Sequence, residues 1–381
     1  MTRLLIAMMM TFAQDTILPR WQPLAAYLRS GVERGAFPGG VVAVGRRDTV
    51  LFARAFGRMD FSGGAAVTTR TVWDLASLTK VVGLTTAAMM LVDEGKLDLE
   101  APVTRYVPEF RGGGDSVLVR HLLVHASGLP AWKPFYQRVR QRRQMFSLVN
   151  REPLEAPPGT RMAYSDLGAM LATEIVERMT GERLDRFLES RLFAPLGMRD
   201  TRFRPPQSWL ERIAPTEVDT TWRHRLVHGE VHDENAAAMG GVSGHAGLFS
   251  TAPDLVRFVQ FLMRGGTTGR GTEAPAHRRA DSVQLVREQT IAEFTRAQRP
   301  GFSSRALGWD TPSENSSAGS RLSQRAFGHT GFTGTSIWVD PEQDVFVILL
   351  TNRVHPTRDN TLVFEVRRRV ADLAVEAVVG R

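Results

Sequence analysis

The strongest constraint on the fold is where strand signal falls along the chain. "GGVVAVGRRDTVLFARAFGRMD" (Gly39 to Asp60) alternates apolar and polar residues around "RRD", which predicts a β-hairpin. Strand signal returns only near the other end. There "FGHTGFTGTSIWVDPEQDVFVILLTNRVHP", from Phe327, predicts two strands joined at "DPEQD". Between them the periodicity is helical. "TVWDLASLTK" leads into a helix from about Ser77 to Glu94, with Gly95 as a stop. Further helices are expected at Val117–His125, Leu167–Thr180, Arg183–Leu192, Pro253–Arg264 and Asp281–Arg296, and a last one from about Asp359 to Val379. No internal repeat is present. Strands at both ends around a helical middle imply an α+β fold. An antiparallel sheet built from both termini would be flanked by helices, with a helical lobe inserted over roughly 97–298.

Composition narrows the function. The chain has 381 residues, 43% of them apolar and 23% charged, which is globular. It has no cysteine, so disulfides, thiol nucleophiles and Cys-ligated zinc are excluded. The net charge of +8 comes mostly from arginine, densest in "RVRQRRQ" (Arg138 to Gln144), "HRRA" (His277 to Ala280) and "RRR" (Arg367 to Arg369). No module gathers this charge beside interleaved aromatics, so no nucleic-acid partner is expected. The start, "MTRLLIAMMMTFAQD", is too short an apolar run to span a bilayer. It fits a signal-peptide core over residues 1–14, which predicts export to the periplasm or beyond. An apolar N-terminal helix or a mis-chosen start codon is the other reading, which leaves a cytoplasmic location open. No later segment reaches transmembrane length, so residues 15–381 are expected to form one domain without a stable membrane span. Arg264–Asp281 and Thr311–Arg321 are flexible insertions by composition.

Three stretches carry candidate chemistry. In "ASLTK" (Ala76 to Lys80), Ser77 and Lys80 are three apart and would share a helix face. They form either an ordinary helix start or a nucleophile with its base. A lysine can take a serine proton when its surroundings depress its pKa, and a serine N–H at a helix start can donate to an oxyanion. "YSD" (Tyr164 to Asp166) precedes a helix. Tyr164 could shuttle a proton, whereas Ser165 or Asp166 could simply cap. "HTGFTGT" (His329 to Thr335) places glycines where a ligand backbone could approach, or merely opens a strand. His224, His228 and His232 are four apart, but Gly229 interrupts them and no metal site is expected. His121 and His125 read as packing residues, and His245 as structural or substrate-adjacent.

The order of these stretches matters more than any one of them. Together with "HLLVHASGLP", "PLGMRDTRF" and "GGVSGHAGLFSTAPDLVRF", they make the chain resemble the penicillin-recognising serine hydrolases. These comprise class C type serine β-lactamases, DD-peptidases and related esterases. The resemblance implies that Ser77 is acylated, that Lys80 is its base or proton partner and that Tyr164 shares proton transfer. It implies an oxyanion hole from the Ser77 and Phe332 N–H groups, and a substrate strand at His329, Thr330 and Gly331. It calls for no cofactor, and for a small-molecule or cell-wall peptide substrate. Asp166 stands where the family often has Asn and cannot donate to a substrate amide when ionised, although it could hold Lys80 charged. His329 stands in place of Lys and removes a fixed cation. Arg353 is a possible replacement for binding a substrate carboxylate, or a surface arginine. A DD-carboxypeptidase, a β-lactamase-like enzyme, a carboxylesterase and a non-catalytic binding module of this fold remain open.

Overall fold

The computed structural model describes residues 17–269, 282–298, 303–314 and 316–380. The expected signal segment and most of the Arg264–Asp281 insertion lie outside them. The strands are β1 (Gly39–Arg46), β2 (Thr49–Gly57), β3 (Trp73–Asp74), β4 (Arg202–Phe203), β5 (Val218–Asp219), β6 (Arg225–Leu226), β7 (Leu248–Ser250), β8 (Phe327–Thr330), β9 (Ser336–Asp340) and β10 (Val345–Thr351). The helices are α1 (Gln22–Glu33), α2 (Thr86–Asp93), α3 (Val119–Leu123), α4 (Arg142–Val149), α5 (Asp166–Thr180), α6 (Leu184–Leu188), α7 (Ala194–Leu196), α8 (Glu234–Ala238), α9 (Ala252–Met263), α10 (Glu288–Thr295) and α11 (Val363–Val379).

The two terminal regions build one antiparallel five-stranded sheet, ordered β2-β1-β10-β9-β8. The β1–β2 hairpin turns at Arg47 and Asp48, as the sequence predicts. The C-terminal region holds three strands where two were expected. The glycine-rich stretch after Thr330 folds back, so His329 sits on its own edge strand, β8, paired to β9.

This sheet is covered on both sides, which explains the unbroken apolar run of β10. Val345, Val347 and Leu349 face one cluster with Val42, Val44 and residues of α1 and α11. Phe346, Ile348 and Leu350 face the main core with Val41, Ala43 and residues of α9. A small sheet, β3-β7-β4, lies beside the helices. Several helices are shorter than their periodicity implies. Arg183–Leu192 divides into α6 and a wider π-type turn, and Asp281–Arg296 contributes only Glu288–Thr295 as helix. The Thr311–Arg321 stretch is not a loose insertion. Ala318 is buried against the α1/α11 face, and Ser317 Oγ accepts from the Trp338 indole at 2.9 Å.

Ile348 is fully buried at the centre of the sheet, whereas Val283 is 55% exposed. Ile348→Ala is expected to cost about 2–5 kcal/mol of unfolding free energy, as a cavity in a packed core does. Val283→Ala should stay within about 0.5 kcal/mol. Urea unfolding followed by circular dichroism measures both. Equal midpoints would contradict the two-sided core.

Candidate active site

Ser77 does not sit within a helix. It lies in a tight turn that leaves β3, and the helix follows it. The N–H groups of Leu78, Thr79 and Lys80 donate to the carbonyls of Leu75, Ala76 and Ser77 at 3.0–3.1 Å. Ala76, just before the serine, has φ +46, a region that a side chain enters only at a cost. Buried Asp74 holds it there. One carboxylate oxygen accepts from the Ala76 N–H at 2.8 Å and the other from the His232 N–H at 2.7 Å. Burial raises the Asp74 pKa, and these N–H groups oppose that rise.

Lys80 is almost wholly buried, and its ammonium makes three contacts. It lies 3.0 Å from Ser77 Oγ, 2.9 Å from the His245 carbonyl and 2.6 Å from Asp166 Oδ1. Burial works against its charge, but the Asp166 carboxylate and Tyr164 outweigh it, so its pKa is raised above the usual lysine value. A π-type turn over Lys80–Thr85 follows, a widening often found at functional sites. The acceptor from His245 is itself braced. His245 Nδ1 lies 2.7 Å from Ser243 Oγ, and its Nε2 lies 2.8 Å from Asp233 Oδ1. Burial would raise the Asp233 pKa, but the His245 charge overrides it and holds the carboxyl low.

Tyr164 arrives on the segment that leads into α5. Ser165 caps that helix by accepting from the Gly168 N–H at 3.0 Å. The Ser165 N–H donates to His125 Nδ1 at 3.1 Å, and the Ala163 N–H donates to the His125 carbonyl at 2.8 Å. His125 therefore brackets the tyrosine, its ring 4.4 Å from the Tyr164 ring. His329 lies 5.8 Å away on the other side. Two cations flank the same ring, with Lys80 Nζ at 4.9 Å and Arg305 Cζ at 5.2 Å. Tyr164 Oη is buried with no hydrogen-bond partner among the described residues. Burial, then the Arg305 and Lys80 charges, hold both His125 and His329 well below the usual imidazole pKa, so both are neutral at pH 7. His329 Nδ1 donates to the Thr330 carbonyl at 2.8 Å, which leaves Nε2 as an acceptor.

The Gly331–Thr335 turn is sewn to the turn that carries Ser77. Thr333 Oγ1 donates to the Asp74 carbonyl at 2.7 Å, and Thr335 Oγ1 donates to the Leu75 carbonyl at 3.0 Å. A side chain at Gly331 would meet the Leu75 carbonyl at 2.3 Å, so only glycine allows this approach. Among the described residues, no acceptor pairs with the Ser77 or the Phe332 N–H. Thr330 lies at the rim, lining a groove with Asp310, Phe364 and Arg367.

The comparisons with known proteins meet this geometry. The Beta-lactamase family profile matches residues 24–372. The chain belongs to the β-lactamase family. A "Putative D-alanyl-D-alanine carboxypeptidase" of Salmonella agona (strain SL483) is 34% identical over 319 residues, covering 76% of this chain and 71% of that one. A penicillin-binding protein homologue from Caulobacter crescentus shares the fold with TM-score 0.75 at 22% identity, over 95% of this chain and 98% of that one. EstCE1, a hydrolase with promiscuous acyltransferase activity, does so with TM-score 0.70 at 21% identity, over 92% and 98%. As a member of this family the chain is a serine hydrolase.

The fold brings Ser77, Lys80, Tyr164, Asp166, His329, Gly331 and Phe332 together. Arg353 is the exception among the expected residues. It is buried, and its Nε donates to the Phe332 carbonyl at 2.8 Å. Its Nη1 donates to the Arg358 and Asn360 carbonyls at 2.8 and 2.7 Å. A guanidinium spent on carbonyls is neither a carboxylate fork nor a surface arginine. Asp74, His125, Asp233 and Arg305 were not foreseen in these roles, because isolated acids, histidines and arginines carry no local signature. The three spaced histidines diverge. His228 Nε2 lies 2.8 Å from the Ile213 carbonyl and His232 Nε2 lies 2.9 Å from Glu217. Among the described residues no group of three or more acids and histidines is placed to hold a metal ion.

Asp166 keeps Lys80 charged, so Asp166→Asn is expected to lower the Lys80 pKa. The alkaline fall of kcat/KM should then move to lower pH by a unit or more, an estimate that rests on the size of a close carboxylate's effect. A pH–rate profile with an activated ester measures this. An unmoved alkaline limb would show that the carboxylate does not control the lysine.

Proposed function

We propose that this chain is a DD-carboxypeptidase-type hydrolase that forms an acyl-enzyme at Ser77 from peptides ending in a free carboxylate. The observation that carries the substrate class is Arg305. Its guanidinium stands over the Tyr164 ring, and its Nε and Nη1 are buried without hydrogen-bond partners among the described residues. Its ion pair with Asp310 is long, at 3.9 Å. A guanidinium with buried, open donors is costly unless a ligand fills them, and a carboxylate matches its charge. It supplies the cation that neutral His329 does not. The Salmonella agona relative, a putative D-alanyl-D-alanine carboxypeptidase by name, points the same way.

The reaction follows from the contacts. Ser77 Oγ attacks the carbonyl carbon of the bond before the terminal residue. Lys80, held as the ammonium, steadies that oxygen and is not its base in this arrangement. The serine proton passes to Tyr164 and from there to the leaving amine. The Ser77 and Phe332 N–H groups receive the developing oxyanion, and water then releases the acyl group. A cell-wall peptide substrate accords with the export expected from the N-terminal apolar run. Among the described residues no helix is long and apolar enough to cross a membrane.

A second reading, a carboxylesterase, is favoured by the neutrality of His329, since an ester without a carboxylate needs no cation there. One comparison separates the two. Arg305→Gln should raise KM for a D-Ala-D-Ala peptide roughly tenfold to a hundredfold, the value of a charged hydrogen-bonded pair. Turnover of a neutral p-nitrophenyl ester should change less than threefold. Ser77→Ala should abolish both. Ester turnover without any peptide cleavage by the unmodified protein would decide for the esterase.

A further inference from the structure

Two buried arginines hold the Gly331–Thr335 turn through its backbone carbonyls. Arg367 Nη2 donates to the Gly331 carbonyl at 2.5 Å and to the Thr335 carbonyl at 2.9 Å. Arg353 Nε donates to the Phe332 carbonyl at 2.8 Å. Thr351 Oγ1 donates to the Gly334 carbonyl at 2.9 Å. Neither arginine forms an ion pair among the described residues. The aromatic rings of Phe332 and Phe364 pack on them instead, with Arg353 Cζ 4.4 Å from the Phe332 ring and Arg367 Cζ 6.0 Å from the Phe364 ring. Burial, then the neighbouring Arg353 charge, push the Arg367 pKa down to about 9, which leaves it a cation at neutral pH.

Burying a guanidinium with no carboxylate beside it is expensive, and a turn can be held more cheaply by neutral donors. What the charge adds follows from peptide geometry. In a trans peptide the carbonyl of one residue and the N–H of the next belong to one planar unit and point in opposite directions. The Gly331 carbonyl and the Phe332 N–H are such a unit. A cation on that carbonyl fixes the direction of the N–H and polarises the unit so that its positive end faces the cleft. Arg353 does the same for the Phe332–Thr333 unit.

We propose that Arg367, with Arg353, is a positioning residue for the oxyanion hole, acting through the Gly331–Phe332 peptide rather than by touching substrate. This rests on the reading of Ser77 as the acylated nucleophile. Arg367 would add little to ground-state binding and much to the transition state, since charge appears on the substrate oxygen only then.

The test uses the full chain and a p-nitrophenyl ester. Arg367→Met should lower kcat by about tenfold to a hundredfold, up to the loss seen when an oxyanion donor is removed, with KM within threefold. Affinity for a boronic acid that forms a tetrahedral adduct at Ser77 should fall by the same factor. Affinity for the carboxylate product should not. A folded Arg367→Met protein with kcat and boronate affinity like the parent overturns the proposal. So does an equal loss of product and boronate affinity, which would mean general disorder. Should that variant fail to fold, Arg367→Lys keeps the cation, but its shorter stem stops short of the point where Arg367 Nη2 meets both carbonyls. Parallel severalfold losses in kcat and boronate affinity are then expected, and parent-like values in both overturn the proposal. Ser77→Ala is run alongside. If it stays active, the serine reading fails by itself, whatever the arginine variants do.

Discussion

The structure of the site depends on one buried ammonium. Lys80 gathers three chain segments that are far apart in sequence: the nucleophile turn through Ser77, the start of α5 through Asp166 and the loop after α8 through the His245 carbonyl. An ammonium has three donors and no acceptor; two go to Ser77 Oγ and the His245 carbonyl, and Asp166 faces it as the counter-charge. Its burial is tolerable only because Asp166 is 2.6 Å away. Asp166 therefore does two jobs that cannot be separated. It compensates the buried charge, and it ties Lys80 to the segment that carries Tyr164. An asparagine there would offer an amide to a substrate but would leave the lysine without a counter-charge.

The rest of the pocket is arranged around that charge. Burial first, and then the charges of Arg305 and Lys80, keep the two imidazoles packed against Tyr164 neutral. His329 therefore holds its place on edge strand β8 without carrying a charge. A cation does lie beside the Tyr164 ring, from another part of the chain: Arg305, on the loop whose Gly308 N–H donates to the Leu123 carbonyl at the end of α3. Asp74 extends the same logic to the backbone. It accepts from the Ala76 N–H, which fixes the strained turn before Ser77, and from the His232 N–H, which ties that turn to a distant loop.

Much of this was legible in the sequence, for physical reasons. The β1–β2 hairpin has an alternating pattern and turn residues between its strands, and both are local signals. Ser77, Lys80 and Tyr164 lie in short motifs whose order along the chain identifies the family. Other features were not legible. The break between β8 and β9 hides within a glycine-rich run, because its turn is closed by distant partners, Asp74 and Leu75. The packed Thr311–Arg321 segment has the composition of a loop. It is ordered by a tryptophan in β9 and by contacts with α11, which no local rule anticipates.

Arginine shows most clearly what composition conceals. The sequence carries a net charge of +8, and such charge usually belongs to a solvated surface. Here part of it lies inside. Arg353 and Arg367 are buried against backbone carbonyls, although Arg367 falls in the "RRR" run that composition alone assigns to the surface. A basic run on a helix places successive residues about 100° apart, so one member can point inward while its neighbours face water. In α11 Arg367 takes the inward position, and Arg368 and Arg369 stay exposed. The inward one meets the turn that carries Phe332. The terminal helix thus does more than cover the sheet. Through one side chain it joins the hydrophobic layer that holds the two chain ends together to the peptide beside the nucleophile.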